Sequence, residues 1–286
     1  MDGRIVRPTE VARLGAGPVE YRLERRGPAA VVICHGGHMR AGLALGEEVF
    51  AELGCTVLVP SRPGYGRTPV GVGPGPVRFA EVIAELCARL GITEATVVGI
   101  SGGGPTALAL AADHPHLVRR LIMESAVGGR PWPGLGIRVG ARVVFAAPVE
   151  SLTWSAVRLL LRRAPATGLR LMLSSLTTAP VTEVLNALDD DRRSGLVTLF
   201  GHMRSGHGFV NDLRYVTPPD ATRVRQPALV IAGRTDGQVP YAHAEALAAA
   251  LPNAELVPLD DGSHFVWHAP GYDVVAGRIR AFLDGG

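Results

Sequence analysis

Three side chains able to share covalent chemistry stand just beyond apolar runs of the chain. Ser101 lies in Gly99-Ile100-Ser101-Gly102-Gly103, Asp236 in Gly233-Arg234-Thr235-Asp236, and His264 in Gly262-Ser263-His264. A serine hydroxyl is a weak nucleophile until a neighbouring base takes its proton, and an imidazole base needs a carboxylate to fix its tautomer and orientation. Together the three predict attack of Ser101 on a carbonyl carbon, with His264 as base and Asp236 as its orienting acid. The Gly-x-Ser-x-Gly spacing adds a steric requirement. A nucleophile on a sharp strand-to-helix turn is held in a strained conformation, so its neighbours must be small. Gly99 and Gly103 leave that room. The helix that follows aims N–H groups and a positive dipole end at the oxyanion that attack creates. One N–H is expected from Gly102. The second is expected from the His35-Gly36-Gly37-His38 turn, from Gly37 or alternatively His38, with His35 holding the loop by hydrogen bonds.

Each role has a competitor in the chain. His268 lies four residues beyond His264, beside Ala269-Pro270, where a helix is expected to start. Glu124 ends another apolar run and is the alternative acid; Asp212, Asp260 and Asp261 read as turn residues. The glycine run is not read as a phosphate cradle, because neither the lysine of a Walker motif nor Gly-x-Gly-x-x-Gly with a following ribose-binding acid is present. His202 and His207 lack the carboxylate or cysteine that would complete a metal-ligand spacing, so neither a metal nor another cofactor is expected.

These residues need a frame that brings them to one rim. Short runs without polar alternation recur: Ala30 to Cys34, Thr56 to Val59, Thr96 to Ile100, Val118 to Met123, Ala228 to Ala232 and Glu255 to Leu259. Strands apolar on both faces belong inside a parallel sheet covered by helices. Helical spacing falls between them, over Gly46 to Leu53, Pro76 to Leu90, Pro105 to Asp113, Tyr241 to Leu251 and Tyr272 to Leu283. In such a sheet the segments after Cys34, Ile100, Ala232 and Leu259 emerge on the same edge. A hairpin near Tyr21 to Arg26 is expected before the parallel part. The stretch from Val127 to Pro219 differs: it is rich in helix formers punctuated by Arg and contains no convincing strand, so it reads as a helical insertion over one end of the sheet.

The bulk numbers exclude other classes. The chain has 286 residues, 47% hydrophobic and 19% charged, with a formal charge of +3, enough apolar material for a large core. Its basic residues are all Arg, which removes lysine as a Schiff base or general base. No basic run exceeds a pair, so nucleic acid is not expected as a partner. Cys34, Cys55 and Cys87 are odd in number without a Cys-x-x-Cys spacing, which predicts free thiols and a reducing compartment. With no secretory signal pattern and no apolar stretch of spanning length, a cytoplasmic protein is expected. The partner expected is a small-molecule substrate; monomer and homodimer both remain open.

Taken jointly, His35-Gly36-Gly37, Ser61-Arg62-Pro63-Gly64-Tyr65-Gly66-Arg67-Thr68, Gly99-Ile100-Ser101-Gly102-Gly103, Gly233-Arg234-Thr235-Asp236 and Gly262-Ser263-His264 resemble, in order, the motifs of the α/β-hydrolase superfamily. The resemblance implies an α/β fold: a mostly parallel eight-stranded sheet flanked by helices, with a helical cap inserted after the sixth strand. The core would be residues 1–126 and 220–286, and the cap residues 127–219. It resembles the cap-bearing branch of esterases, lactonases, C–C bond hydrolases and proline iminopeptidases. Ser101 departs from the dehalogenases and epoxide hydrolases, which carry Asp there. His38-Met39-Arg40 departs from the Gly-Pro-Gly that proline iminopeptidases usually carry.

The expected activity is hydrolysis of a small, largely hydrophobic ester, lactone or related carbonyl compound through an acyl-enzyme. The same residues would serve an acyltransferase, cyclase or lyase, or remain unused in a receptor of this fold. His38, Trp132, Trp154, Met172 and Phe209 are the candidate pocket residues, with Phe145 and Leu173 as further walls and His202, His207 and Asn211 as polar contacts.

Overall fold

A computed structural model describes residues 5–146 and 149–285 of the chain. Its frame is an eight-stranded sheet in the order β1-β2-β4-β3-β5-β6-β7-β8. The strands are β1 (Glu10–Leu14), β2 (Gly17–Glu24), β3 (Ala30–Cys34), β4 (Thr56–Pro60), β5 (Ala95–Ile100), β6 (Val118–Glu124), β7 (Ala228–Gly233) and β8 (Ala254–Leu259). β1 and β2 form an antiparallel hairpin, and β2 runs antiparallel to β4. Every pairing from β4 to β8 is parallel. The hairpin is wider than its expected position near Tyr21 to Arg26, because Glu10–Leu14 completes it.

Successive residues of the parallel strands feed two separate cores, as the period of two in a strand requires. Val32, Cys34, Val97 and Leu121 pack with α2 (Pro76–Arg89) and α3 (Gly104–Asp113) on one face. Val31, Ile33, Val98 and Ile122 pack on the other, with α1 (Glu48–Glu52) and the C-terminal helix Tyr272–Asp284. Burial on both faces is the reason these strands lack polar alternation.

Between β6 and β7 the described residues hold helices and no strand: α4 (Leu135–Val144), α5 (Val149–Arg163), α6 (Pro165–Ser174), α7 (Val181–Asn186), α8 (Asp190–His202) and α9 (Gly208–Asp212). All lie within the segment expected as an insertion. They do not form a separate core: Trp154, Leu161, Leu173 and Phe200 belong to the same apolar cluster as Ile33, Val98 and Ile100 of the sheet. After β7 come α10 (Ala242–Ala250), β8 and α11 (Tyr272–Asp284). Among the described residues no single helix is long and apolar enough to cross a membrane.

Register decides where the chemistry can gather. Cys34 pairs with Gly99, Ile100 with Glu124, Glu124 with Ile231, and Gly233 with Leu259. The carboxyl ends of β3, β5, β6, β7 and β8 are therefore level, and the segments after them leave the sheet on one rim.

Candidate active site

At the end of β5 the chain turns directly into a 3-10 turn at Ser101–Gly103 and then α3. Ser101 has φ +47°, a conformation that costs a non-glycine residue roughly 1–3 kcal/mol and persists only where surroundings impose it. The surroundings here are backbone. A Cβ on Gly103 would stand 2.0 Å from the Cys34 carbonyl oxygen, and one on Gly99 would stand 2.8 Å from the Ala107 Cβ. The flanking glycines are thus demanded by the approach of the turn to β3 and α3. The carbonyl of Ser101 also accepts from the Val127 N–H at 2.9 Å, tying the turn to the segment after β6.

The loop after β3 lies against this turn. A Cβ on Gly36 would be 3.2 Å from the Ser101 Cβ, and a Cβ on Gly102 would be 3.7 Å from the Gly37 nitrogen. The backbone of Gly37 and the turn at Ser101–Gly102 are therefore neighbours. His35 holds the loop from beneath: Nδ1–H donates to the Gly36 carbonyl at 2.8 Å, and Nε2 accepts from the Arg62 N–H at 3.0 Å. Burial and the Arg62 charge push its pKa down to about 3, so the ring is neutral, as this bonding pattern requires. Cys34, buried beside it, has its thiol pushed up to about 12 by burial and is packing material.

Two strands along the sheet from β5, on the same rim, β7 ends in the turn that carries Asp236. Its Oδ1 accepts from the backbone N–H groups of Gln238 and Val239, both at 2.8 Å. That pair fixes the rotamer and leaves Oδ2 for His264 Nδ1, also at 2.8 Å. The Asp236 side chain is fully enclosed. Because the carboxylate accepts, Nδ1 carries the ring proton and Nε2 keeps its lone pair. The junction between α6 and α7 supports both partners. The Leu176 carbonyl accepts from the N–H of His264 at 3.0 Å and of Gly237 at 3.2 Å, and Thr177 forms a bridge with Asp236.

Ser101, Gly37, Gly102 and His264 all line one cavity of about 430 Å³. Among the described residues no hydrogen bond joins Ser101 Oγ to His264; such contacts commonly lengthen before a substrate is bound. The remaining walls are mainly apolar and come largely from the helices between β6 and β7, including Trp132, Phe145, Trp154, Met172 and Phe209. Each of the five pocket residues singled out in the sequence is on this wall; Leu173, in contrast, is buried packing. His202, His207 and Asn211 do not line the cavity. His202 and His207 are exposed, His202 bonding to the Thr198 carbonyl, and Asn211 is buried in α9, where it lines a small neighbouring pocket with Arg62 and Gly102.

His38 is the polar member of the aromatic wall. Its ring lies 4.2 Å from Phe209, 4.6 Å from Phe145 and 5.3 Å from Trp154, centroid to centroid. Nδ1 meets the buried Ser205 hydroxyl at 2.7 Å, and that hydroxyl accepts from the Trp154 indole N–H at 2.8 Å. With a lone pair occupied by Trp154, the Ser205 proton is best used on His38 Nδ1, which places the imidazole proton on Nε2. Burial and Arg62 hold the His38 pKa down at about 3, so the ring is a neutral donor.

Two competitors are removed by their surroundings. Glu124 is completely buried, accepts from the Trp267 indole N–H at 3.0 Å, and is pushed up to about 8 by burial. A carboxyl kept neutral there cannot stabilise an imidazolium. His268 is not among the described residues that line the cavity or bond to Asp236, and burial lowers it to about 4.

Asp212 corrects the sequence reading. Expected as a turn residue, it ends α9 and forms a two-pronged pair with Arg62, Nη1 to Oδ1 at 2.7 Å and Nη2 to Oδ2 at 2.9 Å. Tyr65 donates its hydroxyl to Oδ2 at 2.7 Å. Arg62 Nε donates to the His35 carbonyl at 2.8 Å, so the pair braces the loop that carries Gly37. A partner 150 residues away leaves no local pattern; the only sequence signal was the Arg-Pro-Gly-Tyr segment itself.

The comparisons agree with this architecture. Residues 29–268 match the family model described as alpha/beta hydrolase fold. The chain is 27% identical over 284 residues to the uncharacterized hydrolase YcgS of Bacillus subtilis (strain 168), covering 97% of this chain and 99% of the relative. It is 27% identical over 250 residues to a 2-hydroxy-6-oxononadienedioate/2-hydroxy-6-oxononatrienedioate hydrolase of Pseudomonas sp, covering 84% and 83%. Among solved structures, an alpha/beta hydrolase fold protein from Nakamurella multipartita superposes with a TM-score of 0.81 at 27% identity, covering 95% and 97% of the two chains. From its sheet order, from the hydrolases it is similar to, and from a family match over most of its length, the chain belongs to the α/β-hydrolase-fold family and is an enzyme of the hydrolase type.

Proposed function

We propose that the chain is a serine hydrolase that cleaves a small, largely hydrophobic ester, lactone or related carbonyl compound through an acyl-enzyme. The observation that carries the reading is the 2.8 Å bond from His264 to a caged Asp236, on the same cavity as the strained Ser101. Ser101 Oγ attacks the carbonyl carbon as His264 Nε2 takes its proton, and Asp236 stabilises the imidazolium. The oxyanion forms against the N–H groups of Gly37 and Gly102. His264 then gives its proton to the leaving oxygen. Water, activated by the same imidazole, attacks the acyl carbon and restores Ser101.

Residues 127–219 act in this reading as a cap whose apolar inner surface selects the substrate. The near absence of charge on the cavity wall favours an uncharged acyl group. His38 Nε2–H offers one fixed donor among aromatic rings, suited to a substrate oxygen. One relative is named as a hydrolase of 2-hydroxy-6-oxononadienedioate and 2-hydroxy-6-oxononatrienedioate, and the proposed triad would serve a carbonyl substrate of that kind too.

Hydrolysis of short aryl esters and labelling by a fluorophosphonate test the reading. Ser101→Ala should abolish labelling and lower turnover by several orders of magnitude, and His264→Ala should do the same to turnover. Hydrolysis by Ser101→Ala at the wild-type rate would remove Ser101 from the mechanism.

A further inference from the structure

The outward face of α4, α5 and α6 has a composition that the cavity does not require. From Arg130 to Ser174 the chain carries seven arginines against one acid, Glu150, a net of +6 in a protein whose total is +3. Glu150 is turned inward, accepting from the backbone N–H groups of Ser205 and Gly206. Arg142, Arg162, Arg163 and Arg170 are exposed, and among the described residues none of the four is paired with an acid. The same stretch is greasy. Of the thirteen large apolar side chains exposed among the described residues, seven fall here, among them Val139, Val143, Leu152, Leu159 and Leu171.

The pattern is helical, not scattered. On α5 the exposed residues Leu152, Ala156, Leu159 and Arg163 follow one another at the four-three-four spacing of a single helix stripe. The opposite side of α5 is also apolar, with Trp154 and Leu161 buried and Val157 on the cavity wall. A helix apolar on both sides is expected where its outer side is also covered. Val144 connects the two environments: it is 41% exposed and also lines the cavity, beside Gly140 and Ala141. The mouth of the cavity therefore opens on this face.

We propose that the face formed by α4, α5 and α6 docks on an anionic lipid bilayer, so that an apolar substrate enters the cavity from the membrane. The two components match what such a surface offers: headgroup charge for the arginines and an apolar boundary for Val139, Val143, Leu152 and Leu159. A second copy of the chain matches less well. A two-fold contact sets a patch against itself, which here would bring Arg142, Arg162, Arg163 and Arg170 up against their own copies. The proposal is of peripheral binding; no single described helix is long and apolar enough to cross a membrane, and α4 and α5 meet at a bend of 84°. The delivery of substrate rests on the proposed hydrolase activity; the docking does not.

Flotation with vesicles separates the two. The full chain is mixed with vesicles of phosphatidylcholine and phosphatidylglycerol at about three to one, or of phosphatidylcholine alone, at low and high salt. The wild type should float with the anionic vesicles at low salt and be released as salt rises. Arg162→Gln with Arg163→Gln should weaken partitioning about 25-fold, at roughly fivefold per arginine. Leu152→Ser with Leu159→Ser should weaken it at least about tenfold. Both variants should keep the wild-type circular-dichroism spectrum and melting temperature, which shows that they fold and keeps the outcome independent of the catalytic reading. Absence of flotation with anionic vesicles at low salt overturns the proposal, and so does equal flotation with neutral ones. A concentration-dependent dimer in sedimentation, lost in the leucine variant, would assign the face to a second copy and overturn it as well.

Discussion

Replacing Asp212 by Asn tests whether the brace behind the loop that carries Gly37, the proposed oxyanion donor, does what its geometry implies. Arg62 and Asp212 have side-chain exposures of only 4% and 14%, so water screens their contact weakly. Asp212→Asn keeps the shape and one carbonyl oxygen but leaves the guanidinium without a counter-charge. Breaking one half of a buried pair costs about 3–5 kcal/mol, because the surviving charge is stranded. The Tyr65 hydroxyl loses its charged acceptor at the same time. Removing both charges differs: Arg62→Met with Asp212→Leu fills the space with apolar atoms and should return stability to within about 1 kcal/mol of wild type. That double variant still lacks the bond from Arg62 Nε to the His35 carbonyl. Gly37, the proposed oxyanion donor, would then be positioned loosely, and loss of such a donor costs about 10²–10³ in turnover. Stability by urea unfolding and kcat on a soluble aryl ester, measured on the same preparations, should therefore separate. Asp212→Asn should lose stability; the double variant should keep stability and lose roughly tenfold to a hundredfold in kcat. A cost below about 1 kcal/mol for Asp212→Asn, or a double variant with full activity, would refute the brace.

Other buried groups make further demands. Glu124 titrates at about 8 in the fold against an ordinary 4.5, so the stability tied to its neutral form is complete below pH 4.5 and is lost as pH rises towards 8. Glu124→Gln should raise the melting temperature more at pH 8 than at pH 5; an equal gain at both would contradict the burial argument. His35 and His38, lowered to about 3, and His268, lowered to about 4, act in the opposite direction. Their contribution is complete above pH 6.5 and fades as pH falls through that value towards 4, by up to about 4 kcal/mol per pH unit before Glu124 offsets one of the three protons. The urea midpoint should fall between pH 7 and pH 5, and a flat profile would show that the rings are hydrated. Gly103→Ala puts a methyl 2.0 Å from the Cys34 carbonyl oxygen, so it should destabilise by about 1–3 kcal/mol and disturb labelling of Ser101 by a fluorophosphonate. Unchanged labelling and stability would mean that the turn yields easily.

What was legible in the sequence followed local rules. The parallel strands and their helices lie within a residue or two of their expected bounds, because apolar runs and helical spacing report burial directly. The position of His264 and Asp236 beyond strand ends followed from the parallel order, and the structure brings the two within 2.8 Å. What was not legible depended on pairing at long range. Asp212 sits in a mixed stretch between Phe209-Val210 and Leu213, and only the folded chain sets it against Arg62. Ser205 is a serine between Arg and Gly in the sequence; in the fold it is fully buried and joins Trp154 to His38. The fate of Glu124 was equally hidden, since a strand-end acid reads the same whether it faces an imidazole or an indole. Even the β1 strand escaped notice, because an edge strand alternating Glu, Val, Ala, Arg and Leu has little apolar signature.

The short junction at Leu176–Thr178 has a consequence for anyone exchanging the helices between β6 and β7 with those of a related enzyme. That junction is stitched by backbone bonds to the turns bearing Asp236 and His264. A graft that replaces it would take away the scaffolding of His264, the proposed base, while leaving the side chains of Ser101, Asp236 and His264 in the sequence. Under the proposed function, specificity would be exchanged through α4 and α5, whereas the junction after α6 would have to stay with the turns it supports.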